Sequence, residues 1–195
     1  MLSVVIATHE SERVLVRTLA ALVSGAAAGM VRDVLIADAG SNDETATVAD
    51  MAGCRLMVSS APLAARLRAA AATARTQWLM FLRPGTAPDV TWIGEAARFI
   101  EDAERTGQSG VRAAVFRPDA LLSATGPALI EALVLLKAAL GGRAKPDQGL
   151  LISRTLYERL GGHRDAAADC EADLLRRLGR RRTVMLRAGI TVTTI

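Results

Sequence analysis

The sequence predicts an α/β fold: a doubly wound, mostly parallel sheet flanked by helices, in one domain spanning residues 1–195. Short apolar runs rich in β-branched residues, such as Leu2 to Ile6 and Val34 to Asp38, read as strands buried on both faces. They alternate with longer amphipathic stretches, and the first strand, helix and second strand together take about 35 residues, enough for a right-handed parallel crossover. The chain is 51% hydrophobic but only 3% aromatic, so its core is built of Ala, Leu, Val and Ile.

The elements follow in order. After the Leu2 to Ile6 strand comes a polar loop, Thr8-His9-Glu10-Ser11. A helix then runs from Glu12 to Ser24, with Val14, Leu15, Leu19, Leu22 and Val23 on one face. Val34 to Asp38 is the second strand. It ends in the turn Ala39 to Asp43, where Ser41 and Asp43 are candidate caps for a helix from Glu44 to Ala52. Arg55 to Val58 is a third strand, Ala61 to Thr76 an alanine-rich helix, and Gln77 to Leu82 a fourth strand that stops at Arg83-Pro84-Gly85. Asp89 or Thr91 opens a helix reaching Thr106. Val111 to Arg117 reads as a strand, Gly126 to Leu140 as a helix, and Arg143 to Gln148 as an exposed loop. Gly149 to Ser153 is a strand, Arg154 to Leu160 a short helix closed by Gly161-Gly162, Asp169 to Gly179 a helix, and Thr183 to Leu186 the last strand.

Composition excludes several classes. The hydrophobic content excludes a disordered chain. Two cysteines, Cys54 and Cys170, are too few for a disulfide framework or a structural zinc site, and a reducing, cytoplasmic setting is expected. The net charge is +4, carried by 24 Lys and Arg, but the aromatics are not interleaved with basic runs, so no nucleic-acid partner is expected. No charged region precedes the first apolar run, and the most apolar later stretch, Leu129 to Leu140, is short of the about 20 residues a bilayer span needs. That stretch reads as a helix packed on the core or, alternatively, as a peripheral membrane contact. Oligomeric state is not legible.

In an open α/β sheet, ligands bind beyond the carboxyl ends of the strands where strand order reverses. Three loops qualify: Thr8 to Ser11, Asp38 to Asp43, and Arg83 to Pro88. None holds a Gly-x-Gly-x-x-Gly or phosphate-loop lysine motif, which argues against a dinucleotide dehydrogenase or a P-loop NTPase.

Five segments in order, Ser3 to Glu10, Val34 to Thr45, Ala70 to Leu82, Asp147 to Arg154 with Tyr157 to Gly162, and Glu171 to Gly179, resemble family-2 glycosyltransferases. The last ones resemble a small bacterial subgroup of that family. The resemblance implies a GT-A fold and transfer of a sugar from a UDP- or GDP-linked donor. It places Ala7, Thr8, Glu10 and Asp38 at the nucleotide, Asp38 as the acid that accepts a hydrogen bond from base or ribose. Asp147 and Gln148 fall on the acceptor side. Arg68 stands where the family often has Asn, and is assigned to the nucleotide with Arg83.

Two departures matter. The family holds Mg²⁺ or Mn²⁺ with an Asp-x-Asp motif after the fourth strand, because hard cations take oxygen ligands. Here that position reads Arg83-Pro84-Gly85, so Gly85 replaces the principal ligand, no metal residue is assigned, and Arg83 is a candidate substitute for the cation. The family also has Glu-Asp at its catalytic base, where this chain has Cys170-Glu171. Glu171, with Asp173, is the catalytic candidate, its carboxylate carried one methylene further out. The sequence leaves two readings: a glycosyltransferase that is metal-independent or weakly active, and an inactive relative that binds a nucleotide or a protein.

Overall fold

A computed structural model describes residues 1–118 and 144–193. The expected helix from Gly126 to Leu140 lies outside the described residues. Parallel strands β1 (Leu2–Thr8), β2 (Val31–Asp38), β3 (Arg55–Val58) and β4 (Trp78–Leu82) alternate with helices α1 (Glu12–Ala27), α2 (Thr45–Met51) and α3 (Leu63–Thr73). There follow β5 (Thr86–Pro88), α4 (Trp92–Arg105), β6 (Ala113–Pro118), a 3₁₀ turn (Pro146–Gln148), β7 (Leu150–Ser153), α5 (Arg154–Arg159), α6 (Cys170–Leu178), a second 3₁₀ turn (Arg180–Arg182) and β8 (Thr183–Val192).

The sheet order is β3-β2-β1-β4-β7-β6-β8-β5. β7 runs antiparallel to β4 and β6, β6 parallel to β8, and β5 antiparallel to β8, so the mostly parallel sheet takes its antiparallel members beyond β4. Side chains alternate between two cores because successive residues of a strand face opposite ways. Leu2, Val4 and Ile6 meet Leu15, Leu19, Trp78 and Trp92 under α1 and α4. Val5 joins Leu67, Leu79, Phe81, Leu156 and Leu174 under α3, α5 and α6. Burial on both faces is why these strands read as near-continuous apolar runs.

Four expectations are corrected. β5, read from sequence as part of a loop, is a three-residue strand pairing Thr86 with Val192 and Pro88 with Ile190. Such a short edge is formed by a partner about a hundred residues away, not by local propensity. The last strand extends to Val192, with Leu186, Ala188 and Ile190 turned into the core. Ser41 caps no helix: its hydroxyl goes to Asp38 instead. The α3 helix is also shorter than expected, because Ala74 is already extended and Arg154 donates to the carbonyls of Ala71 (2.9 Å) and Ala74 (2.6 Å). Among the described residues no helix is long and apolar enough to cross a membrane.

Candidate active site

The strand order reverses at β1, with β2 and β3 on one side and β4 on the other, and a cleft of about 420 Å³ opens there at the strands' carboxyl ends. β1 and the loop after it contribute Ala7, His9 and Glu10; β4 and its continuation contribute Phe81 and Arg83; α3 contributes Leu63 and α6 contributes Glu171.

The first wall is two loops latched together. Asp38, 4% exposed, accepts from Thr8 Oγ1 (2.7 Å) and Ser41 Oγ (2.6 Å) on one oxygen, and from Gly40 N (2.8 Å) and Ser41 N (2.7 Å) on the other. Burial alone would raise its pKa, but these donors, led by Ser41, hold it below the usual carboxylate value. Ser41 Oγ accepts from Glu10 N (2.9 Å), and Glu10 Oε1 accepts from Asn42 N (2.8 Å). Glu10 takes φ 48°, a left-handed conformation that a non-glycine residue keeps only when its surroundings fix it. Asp43 joins the same latch, accepting from Glu12 N (3.0 Å) and Thr45 N (3.0 Å). Thr8, Glu10 and Asp38 are therefore one rigid unit. Arg66, absent from the sequence-based assignment, braces it by donating to the carbonyls of Thr8 and Ala37 at the ends of β1 and β2.

The second wall is a charge cluster. Arg83 donates through Nε (2.8 Å) to Glu171, whose carboxylate also lies in ion-pair contact with Nη2 (2.6 Å), and through Nη1 (2.9 Å) to Asp147. Asp169 stands 3.8 Å from Nη2 and caps α6, accepting from Glu171 N and Ala172 N. Burial opposes the charge on Arg83, but Glu171 and then Asp147 outweigh it and raise its pKa. This brings together residues 83, 147 and 171 from three distant segments. It also adds Asp169, which sequence reasoning had only at the start of a helix.

The remaining assigned residues lie elsewhere. Arg68 donates to the His163 carbonyl and to Asp165, tying α3 to the loop after α5. Gln148 is buried, bonding Phe116 O and Lys145 N (both 2.8 Å) to pin the 3₁₀ turn that presents Asp147. Asp173 accepts from Arg176 and from Arg177 (2.7 Å), and Arg177 in turn holds the carbonyls of Leu160 and Gly162. These pairs, Arg177 first, lower the Asp173 pKa.

Behind the cleft, His163 is 1% exposed, its Nδ1 2.9 Å from Tyr157 Oη and its ring edge-on to Phe81. Burial, then the charges of Arg177 and Arg68, push its pKa down to about 4 from 6.5. The unfolded chain therefore takes up the proton first, so this stability is full above pH 6.5 and is lost as pH falls toward 4. The protein is expected to be about 2 kcal/mol less stable at about pH 5 than at about pH 7, and His163→Phe should flatten that slope in urea unfolding. An equally steep slope in the variant would refute the assignment.

A mostly parallel sheet with latched polar loops and a charged pair at its switch point defines an α/β protein with a candidate ligand cleft at the carboxyl ends of β1 and β4. Residues 3–137 match the family described as Glycosyl transferase family 2, and the chain belongs to that family. No functionally curated protein matches its sequence. Among solved structures, it is similar to residues 1–349 of TarS from S. aureus, with a TM-score of 0.72 and 14% identity over 98% of this chain and 60% of that one. It is also similar to glucosyl-3-phosphoglycerate synthase from Mycobacterium tuberculosis in complex with Mn²⁺, UDP and glucosyl-3-phosphoglycerate (0.68, 17%, covering 100% and 72%). A third is the mannosyltransferase PcManGT from Pyrobaculum calidifontis with GDP-Man and Mn²⁺ (0.74, 13%, covering 97% and 56%). At these identities the likeness shows the fold, which is GT-A. The chain spans 60% of the TarS structure and 56% of the mannosyltransferase structure.

The residues after β4 do not fit a divalent cation. Arg83 puts a positive guanidinium among the carboxylates that would be needed as ligands. Gly85 has φ 86°, and a Cβ built on it would lie 2.4 Å from the Thr193 carbonyl oxygen, so no side chain fits there. Among the described residues no group of three or more His, Cys, Asp or Glu is placed to hold a metal.

Proposed function

We propose that this chain binds a UDP- or GDP-linked sugar in the cleft between β1 and β4 and transfers the sugar without a divalent cation. The observation that carries this is Arg83, a fixed positive charge standing where the family places its metal ligands. A guanidinium has five N–H donors. Nε donates to Glu171, Nη1 donates once to Asp147 and Nη2 stands in ion-pair contact with Glu171, which leaves N–H groups on Nη1 and Nη2 to meet diphosphate oxygens as a bidentate pair. The Thr8–Glu10–Asp38 unit forms the nucleoside side. Its donor-saturated Asp38 acts chiefly by fixing the turn against which the base lies.

Glu171 is the proposed base. Its contact with Arg83 holds it aimed at the cleft, where it would accept the acceptor's hydroxyl proton. The acceptor oxygen forms the bond to the anomeric carbon, the bond from that carbon to the diphosphate breaks, and Arg83 faces the charge that leaves. Asp173 works at one remove, holding α6 through Arg177 so that Glu171 keeps its place.

One observation favours a second reading, a nucleotide-binding relative that does not turn over: the Glu171 carboxylate is committed to Arg83 and is longer than the family's Asp. Thermal-shift titration with UDP-glucose and GDP-mannose in EDTA tests binding, and release of free sugar or nucleotide tests turnover. Arg83→Gln is expected to remove the stabilisation. Asp147→Asn should strengthen it, by up to about fivefold in affinity, because a half-exposed like charge leaves the phosphate site. No stabilisation by either nucleotide sugar would refute the proposal. Stabilisation without turnover would select the second reading.

A further inference from the structure

We infer that the sheet edge opposite the cleft docks on an anionic phospholipid surface. β6 and β8 run parallel to each other and, through β7, in the same direction as β4, so their starting ends lie at the edge away from the cleft. Ala113 is paired with Thr183, which sets Arg112 beside Arg182 and the Arg180–Arg182 turn. Arg159 reaches the same place, donating to Gly110 O (2.9 Å) two residues before Arg112. All five arginines are exposed, and among the described residues none is in an ion pair.

Arginines at this edge have an ordinary use, since helix carboxyl ends open onto it and carry partial negative charge. Arg55 and Arg154 are used that way, on the carbonyls of Thr73 and of Ala71 and Ala74. The side chains of Arg180, Arg181 and Arg182 donate to none of the described residues. Their planar forks match phosphate oxygens, and Val111, 46% exposed between Gly110 and Arg112, adds an apolar contact suited to a headgroup boundary. A nucleic acid fits less well. All six aromatic side chains are buried or half-buried, so none can stack on a base, and among the described residues the patch is built of loop, a 3₁₀ turn and the last residue of the short α5, with no long helix or ribbon to enter a groove. Docking by this edge would leave the cleft open.

The test is co-sedimentation of the purified chain with vesicles of phosphatidylcholine containing phosphatidylglycerol, against vesicles of phosphatidylcholine alone. Binding is expected only to the anionic vesicles and should fade with salt. The double variant Arg180→Gln/Arg182→Gln should bind about thirtyfold more weakly with unchanged thermal stability. The control Arg13→Gln/Arg17→Gln removes the same charge from the exposed face of α1 and should bind like the parent. Absence of binding to anionic vesicles, equal loss in the control, or tighter binding to duplex DNA or RNA than to vesicles would each overturn the inference.

Discussion

Glu171→Gln is expected to cut sugar transfer about a hundredfold or more while nucleoside-diphosphate affinity does not fall. Gln keeps the shape and an oxygen to accept from Arg83, so the Arg83–Asp147 arrangement and the cap of α6 by Asp169 stay in place. What it loses is the capacity to take a proton. A fall in turnover with nucleotide binding retained separates this role from a structural one. Equal turnover in parent and variant would remove Glu171 from the chemistry. Glu171→Asp is the informative companion: it supplies the family's shorter acid but draws the carboxylate back from Arg83, and displacement of about 1 Å can change rates roughly a hundredfold.

Gly85→Asp carries the second large effect. It writes the family's metal carboxylate back into the sequence, yet it is expected to lower stability by about 3 kcal/mol or more, a drop in Tm of roughly 6–12 °C. The backbone at φ 86° disfavours any L side chain, and the new Cβ would meet Thr193 O at 2.4 Å. That carbonyl cannot move cheaply. Thr193 N donates to Gly85 O (2.9 Å), Gly85 N donates to Thr18 Oγ1 (2.9 Å), and β5 pairs with β8 through the next residues. Thermal unfolding with and without Mn²⁺ checks this. A variant as stable as the parent that gains stability on adding Mn²⁺ would show that the position is open after all.

β1, β2 and β4 are legible because a parallel strand buried on both faces must be continuously apolar, and their polar ends mark the ligand loops. Glu171 and Arg83 are each legible by their place in motif order. Their pairing is not: they are 88 residues apart, and neither local spacing nor propensity records which arginine meets which acid. The same holds for the closure of Gly85 by Thr193, which needs the long-range pairing of β5 with β8. Asp38 is found readily as a strand-end acid, but not the four donors that saturate it, three of which come from its own turn. His163 shows no periodicity that would reveal its burial. Arg68 and Asp173 fall on family motif positions, yet the fold directs both to neighbouring arginine-held loops and away from the cleft.

The central claim is that a fixed guanidinium does the work of a divalent ion at the diphosphate. Calorimetric titration of UDP and of GDP into the protein, in EDTA and again in excess Mn²⁺, measures it most directly. Equal affinities in the two conditions, both abolished by Arg83→Gln, are the predicted result. Binding that appears only with Mn²⁺ and survives the loss of Arg83 would contradict it.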